Sequence, residues 1–449
     1  MKKLVILMLT IIIFLPAIAQ DIDRQKMDDY LELLEKHNKF MGSVCLYQDG
    51  KSIYSKAVGY RDADEGLLNE TTTEFRVGSI TKMFTATIIF KLIEEEKLKL
   101  KDRLYEFFPE IENARKITIQ QLLNHSSGLK NITATSEYIQ YMTRYHSQQA
   151  MIEKVMAFQP DFSPGEKHEY SNTNYLLLGF IIEKVTGSSY QEVLEQYITG
   201  PLQLQHTRYG GKINTAANQA FSYRYMGAWF TLPETDMSIP HGAGAIISTA
   251  GDLNIFIRAL FRGEIISQAS VQKMIEISDG FGHGIFEYDF KEHKGYGHGG
   301  GIDGFVCFLT YFPDIDLGIA ILSNGLNYNI DVVFTSLLKI YFNEDFEMPD
   351  FEIKTIELSE AEYRKFAGDF ASEQLPIKLN ISLSNKQLYV HPTGQNAFPL
   401  TAVSPNKFIF EMAGIEIEFA TSHNGINYDE FVLKQAGNNY LFKKEMNHK

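Results

Sequence analysis

Apolar and polar residues alternate along residues 43–59, "SVCLYQDGKSIYSKAVG", around Asp49-Gly50, and this predicts a β-hairpin. From about residue 79 to 200 the spacing becomes helical. "TIQQLLNHSSGL" opens with Thr118 and Gln121 in capping-box spacing and is expected to end near Gly128. "SNTNYLLLGFIIEKVTG" carries a long apolar face and should stop at Gly187. Residues 210–240 show no clear period and contain Trp229, which predicts a long loop of the kind that borders sites. "GFVCFLTYFPDIDLGIAILSN" then reads as two apolar strands around a Pro313-Asp314 turn. A hairpin at the start, helices in the middle and strands at the end predict one sheet closed by both ends of the chain.

The pattern shifts again at "NEDFEMPDFEIKTIE" (343–357), which is acidic and helix-poor, and residues 344–358 are read as a linker. Beyond it Ser359 and Glu362 form a capping box. Short strand-like runs with turn residues between them fill the rest of residues 359–449, the signature of a small β-barrel or sandwich.

The first twenty residues change the expected compartment. Lys2 and Lys3 precede an unbroken apolar run, and Ala17 and Ala19 stand before Gln20, so residues 1–20 read as a secretory signal peptide cleaved near Ala19 or Gln20. The run is short for a retained membrane helix and no basic stop-transfer cluster follows. No cysteine near the cleavage point offers a lipid-anchor site. An exported chain without a stable membrane anchor is the expectation. The formal net charge is −14, or −16 once Lys2 and Lys3 leave with the signal, which disfavours nucleic acid and anionic membrane as partners. Cys45 and Cys307, the two cysteines, lie in apolar strand-like stretches and are expected as buried thiols.

Candidate chemistry begins in "EFRVGSITKMFTATIIFKL", where Ser79 and Lys82 stand three apart on one face at the mouth of a largely apolar helix. The S-x-x-K spacing occurs five times, at Ser79, Ser127, Ser270, Ser336 and Ser404, and only Ser79 follows a glycine at such a helix mouth. A serine hydroxyl needs a base to take its proton, and a lysine can serve once burial lowers its pKa. The plainer reading makes Ser79 a helix cap and Lys82 a solvated side chain. Two further stretches bear on that choice: Tyr170-Ser171-Asn172 before a helix, and His298-Gly299-Gly300-Gly301 at the head of a strand. Each has a decoy elsewhere, at Tyr341-Phe342-Asn343 and His423-Asn424-Gly425.

S-x-x-K, then Y-x-N, then H-x-G, in that order and with these long separations, resembles the serine β-lactamase and penicillin-binding fold. The resemblance is nearest to the branch of class C β-lactamases, D-alanyl-D-alanine carboxypeptidases, esterases and D-aminopeptidases. It extends over roughly residues 25–342 through "ITIQQLLNHSSGL", "PLQLQHTRYG" and "GAGAIISTAGDLNIFIRAL". It implies an α+β fold, an antiparallel sheet flanked by helices plus an all-helical region, for residues 21–343. It likewise implies a small lipocalin-like all-β barrel for residues 359–449.

By this resemblance Ser79 is the acylated nucleophile, and Lys82 and Tyr170 share the work of general base in proportions the sequence leaves open. A tyrosinate at Tyr170 would need positive neighbours, and Lys82 and His298 would supply them. Asn172, His298, Gly299 and Gly300 would bind substrate, and the backbone N–H groups of Ser79 and Gly301 would form the oxyanion hole. Class C β-lactamases carry lysine and hydroxyl residues where this chain has His298, Gly299 and Gly301. The expectation is therefore an exported serine hydrolase of peptides, amides or esters, of D-amino-acid peptidase, carboxypeptidase or esterase type, weak on β-lactams. Two rivals stand beside it: a penicillin-binding sensor that is acylated with little turnover, and a true class C-like β-lactamase.

No cofactor and no metal are expected. His283, His293 and His298 lack zinc-ligand spacing, H-E-x-x-H is absent, and G-x-S-x-G is absent too. His125 reads as a structural histidine at a helix end. For the barrel three roles stay open: gating the site, holding a homo-oligomer together, or binding a ligand. Restricted access for a small-molecule or peptide substrate is the one expected.

Overall fold

The computed structural model describes residues 22–445 apart from 353, 396, 411–412, 423–424 and 436–437, so the proposed signal segment lies outside the described residues. Helix α1 (Arg24–Lys36) comes first and was not anticipated, although Met27, Tyr30, Leu31 and Leu34 fall on one helical face and are all buried. Strands β1 (Phe40–Gln48) and β2 (Lys51–Val58) form the expected hairpin.

Helices α2 (Thr81–Glu94), α3 (Ile119–Leu123), α4 (Asn172–Thr186) and α5 (Ala250–Phe261) follow. The Thr118 capping box is present, but α3 ends at Asn124, before Gly128, because His125 takes a left-handed φ of 60°. Gly187, with a φ of 70°, ends α4 as expected.

The 210–240 stretch is not all loop. It contributes β3 (Tyr223–Tyr225) and β4 (Trp229–Thr231), and β3 joins the main sheet through Tyr223 beside Gly325. Strands β5 (Phe286–Phe290), β6 (His293–Ile302), β7 (Phe305–Phe312) and β8 (Leu317–Leu326) complete it. The order is β5-β6-β7-β8-β1-β2, so the two ends of this region meet where β8 pairs with β1. Side-chain alternation divides the core. Val44, Leu46, Ile319 and Ile321 face α1 and helix α6 (Ile330–Tyr341), whereas Cys45, Ala320 and Leu322 face α2, α4 and α5. Both cysteines are buried thiols.

Phe346 and Phe351, in the stretch read as a linker, pack on Tyr30 and Tyr328 behind the sheet. The Ser359 capping box opens one short helical turn. Eight strands then close into a barrel: β9 (Gly368–Ala371), β10 (Lys378–Ser384), β11 (Gln387–Pro392), β12 (Phe398–Ser404), β13 (Lys407–Phe410), β14 (Ile415–Ser422), β15 (Gly425–Gln435) and β16 (Asn438–Lys444). Closure removes the exposed edges that a strand-rich tail would otherwise present. Its interior is side chain: Phe366, Phe370, Phe408, Phe419, Phe431 and Phe442 are buried against one another.

Candidate active site

Ser79 lies in a single 3₁₀ turn, Gly78–Ile80, that runs directly into α2. Neither that turn nor α2 has a side-chain cap hydrogen bond at its N-cap. Gly78 has a φ of 53°, and a Cβ there would meet the Gly301 backbone N at 2.7 Å. A Cβ at Gly300 would lie 2.0 Å from the Val77 carbonyl oxygen. These two glycines let the serine turn sit against β6, which brings the Ser79 and Gly301 backbones to one side of the site.

Lys82, the second residue of α2, is fully buried. Its Nζ lies 2.8 Å from Ser79 Oγ, 2.8 Å from Asn172 Oδ1 and 2.7 Å from the Ala243 carbonyl oxygen. Among the described residues no carboxylate pairs with it. Burial without a counter-charge pushes the lysine pKa well below its ordinary value, toward a neutral amine. A neutral amine has two hydrogens and one lone pair. Asn172 Oδ1 and Ala243 O can only accept, so they take the two hydrogens and leave the lone pair for the Ser79 hydroxyl.

Tyr170 reaches the same atom from the chain segment before α4, its hydroxyl donating to Ser79 Oγ at 2.9 Å. Burial raises its pKa well beyond the ordinary tyrosine value. The cationic neighbours invoked for a tyrosinate are not cationic here. His298 is pushed down to about 3, chiefly by burial. Its Nδ1 donates to the Gly299 carbonyl oxygen at 2.5 Å, and its ring stands edge-on to Phe286 with centroids 4.8 Å apart. The charges that shape the site are therefore withheld rather than supplied.

Asn172 is committed at both ends of its amide, accepting from Lys82 and donating through Nδ2 to Thr133 Oγ1 at 2.7 Å. Ser79, Asn172 and Gly301 share a cavity of about 460 Å³. Ile132, Leu176, Ile239 and Phe305 give it apolar walls, and Thr133 and Thr235 add hydroxyls. Gly299 and Gly300 lie on β6 beside that cavity without lining it.

Two participants escaped the sequence reading. The Ala243 carbonyl belongs to a tight turn, Pro240–Gly244, whose Gly242 would clash with the Tyr175 carbonyl oxygen at 2.6 Å if it carried a Cβ. The "PHGAG" run was the available signal. His125 does stand at a helix end, as expected, but its ring also packs at a tilt against Tyr170 with centroids 4.6 Å apart. Its Nδ1 accepts from the Ser171 backbone N–H at 3.2 Å, and burial depresses its pKa. Among the described residues no group of histidine, cysteine and carboxylate side chains could hold a metal ion. The barrel supplies no lining residue to the cavity among those described.

A helix-borne serine engaged by lysine and tyrosine, packed on an antiparallel sheet, defines a hydrolase of the serine β-lactamase-like class. The chain belongs to the Beta-lactamase family, whose sequence profile matches residues 25–335. Penicillin-binding protein 4* of Bacillus subtilis (strain 168) is 25% identical over 443 residues, 92% of this chain and 97% of its own length. The teichoic acid D-alanine hydrolase of Staphylococcus aureus (strain MRSA252) is 30% identical over 254 residues. That match spans 56% of this chain and 60% of the hydrolase. The crystal structure of a D-stereospecific amidohydrolase from a Streptomyces species superposes with a TM-score of 0.62 and 25% identity. It covers 71% of this chain and 98% of its own. No helix among the described residues is long and apolar enough to cross a membrane.

Proposed function

We propose that this protein is an exported serine hydrolase that cleaves amides, peptides or esters of D-configured amino acids through an acyl-enzyme on Ser79, and acts weakly on β-lactams. The observation that carries the reading is the pair of contacts on one oxygen: Lys82 at 2.8 Å and Tyr170 at 2.9 Å from Ser79 Oγ. The D-stereospecific amidohydrolase and the D-alanine hydrolase among its relatives support the substrate class.

Lys82, neutral and fixed by Asn172 and Ala243, is the general base. It takes the hydroxyl proton as Ser79 Oγ bonds to the substrate carbonyl carbon. The Ser79 and Gly301 N–H groups stabilise the oxyanion. Collapse breaks the C–N or C–O bond, and the proton returns to the departing amine or alcohol by way of Lys82 and Tyr170, which both touch Oγ. Water then adds to the acyl carbon, its proton goes to the same base, and the bond to Ser79 breaks to release an acid and restore the hydroxyl. Tyr170 stays a phenol at the start of the cycle and serves as proton donor. His298, neutral and buried, offers no charge to a β-lactam carboxylate.

The test is turnover of a D-amino-acid amide beside its L-enantiomer, by wild type and Ser79→Ala. D-selective release of ammonia that the variant lacks is expected. Equal turnover by the variant, or preference for the L-form, would overturn the reading.

A further inference from the structure

Behind the cavity wall lies a charge cluster that the acyl-transfer chemistry does not use. Arg76 sits two residues before the serine turn with its side chain 2% exposed. One terminal nitrogen donates to Asp303 Oδ2 at 2.8 Å and to the Thr235 carbonyl oxygen at 2.8 Å. The other donates to Glu234 Oε2 at 3.0 Å and to the Gly211 carbonyl oxygen at 2.9 Å. Asp303, whose side chain is 1% exposed, also accepts from the Thr235 N–H at 3.0 Å and from its hydroxyl at 2.6 Å. Arg76 does not line the cavity that holds Ser79, whereas Asp303 does, two residues after Gly301. Arg76 instead borders a second cavity of about 550 Å³, and Thr235 lines both.

The arrangement has a sign. One guanidinium is set against two carboxylates, so the cluster carries a net negative charge, and its only cation has both terminal nitrogens occupied. Among the described residues no lysine, arginine or histidine lines the Ser79 cavity, and the nearby Lys82 spends its hydrogens on Asn172 and Ala243. A substrate carboxylate entering this cavity would lose its water, find no free cationic donor, and approach Asp303. An uncharged carboxamide or ester in the same place loses far less.

We infer that this pocket selects substrates whose leaving group carries no carboxylate, amides and esters rather than peptides ending in a free acid, and that Asp303 is the specificity-determining residue. By pairing with Arg76 behind the wall, it keeps the guanidinium out of the cavity and leaves an entering acid without a cation to meet. This rests on the serine-hydrolase reading above and narrows its substrate class.

The experiment compares kcat/KM of the full chain for acetyl-D-alanyl-D-alanine and for acetyl-D-alanyl-D-alanine amide at the central peptide bond, with fluorophosphonate labelling of Ser79 run alongside. Wild type should favour the amide by about tenfold or more, the scale set by placing like charges together at a binding surface. Asp303→Asn keeps an acceptor for Thr235 and removes the charge, so the ratio should narrow. The milder Glu234→Gln, at a partly exposed position, should narrow it less and guards against loss of folding in the first variant. Equal rates for acid and amide in wild type, or a ratio unchanged in both labelled variants, would overturn the inference while leaving the hydrolase intact. Failure of both turnover and labelling in wild type would overturn the hydrolase reading and the inference with it.

Discussion

Replacing Lys82 by methionine tests the protonation state on which the proposed mechanism turns. The side chain is fully buried and its nitrogen touches three uncharged groups. An unfolded chain exposes the lysine to water, where it holds its proton up to a pH near 10.4. The folded chain, with its depressed pKa, does not. Between the depressed folded value and the ordinary one, the unfolded state thus binds one more proton, and folding becomes more favourable as pH rises. Linkage sets the slope at about 1.4 kcal/mol per pH unit for one such group. Methionine removes the titration. It also orphans Asn172 Oδ1 and the Ala243 carbonyl at about 1–3 kcal/mol each, but that cost is an offset that does not vary with pH. Urea unfolding followed through Trp229, the chain's single tryptophan, reads the relevant region, because that indole donates to Asn38 at 3.2 Å beside the sheet. Wild-type stability minus Lys82→Met stability should climb with the linkage slope through the alkaline range and level off near pH 10.4. A difference flat in pH would show that the folded lysine keeps its proton, and the assignment of Lys82 as base would fall.

Tyr170→Phe keeps the tilted ring contact with His125 and loses only the hydroxyl on Ser79 Oγ, so kcat should drop by about 10²–10⁴ with KM little changed. Unaltered kcat in steady-state assays would remove Tyr170 from proton transfer. His241 and His283 are pushed down to about 4 and His298 to about 3 by burial, so the folded protein resists protons that the unfolded chain takes up below about 6.5. Stability from these three is fully present above pH 6.5 and is lost as pH falls toward 4; a Tm unchanged between pH 7 and 5 would contradict this. Ending the chain after Glu352 keeps Phe346 and Phe351 on the rear of the sheet and removes the barrel, none of whose described residues lines the cavity. Activity on a small amide should survive within about twofold, the span expected for a site whose contacts are all retained; a change of tenfold in kcat/KM would restore the gating role.

The parts legible in sequence were those whose cause is local. Asp49-Gly50 marks a turn, Thr118 and Ser359 announce their caps, and Gly187 must stop a helix because of its left-handed φ. The face shared by Ser79 and Lys82 follows from helical spacing alone. Helix α1 is equally legible, since residues 27, 30, 31 and 34 recur at helical intervals. What stayed hidden depends on partners far along the chain. The third lysine contact comes from Ala243, 161 residues on, and the Arg76 cluster draws on positions 211, 234, 235 and 303. No period or spacing announces such meetings. The charge states were hidden for the same reason, because burial created by the whole fold decides them. His298 therefore looked like a plausible cation in sequence and is a neutral ring in the structure.

The most direct test of the central claim is the intact mass of the protein after exposure to a fluorophosphonate and to a penicillin, beside Ser79→Ala. The account predicts a fluorophosphonate adduct that maps to Ser79 and is absent from the variant, with little or only short-lived penicilloyl adduct. Folded wild-type protein that takes up neither reagent, or a variant that is labelled as readily as wild type, would contradict it.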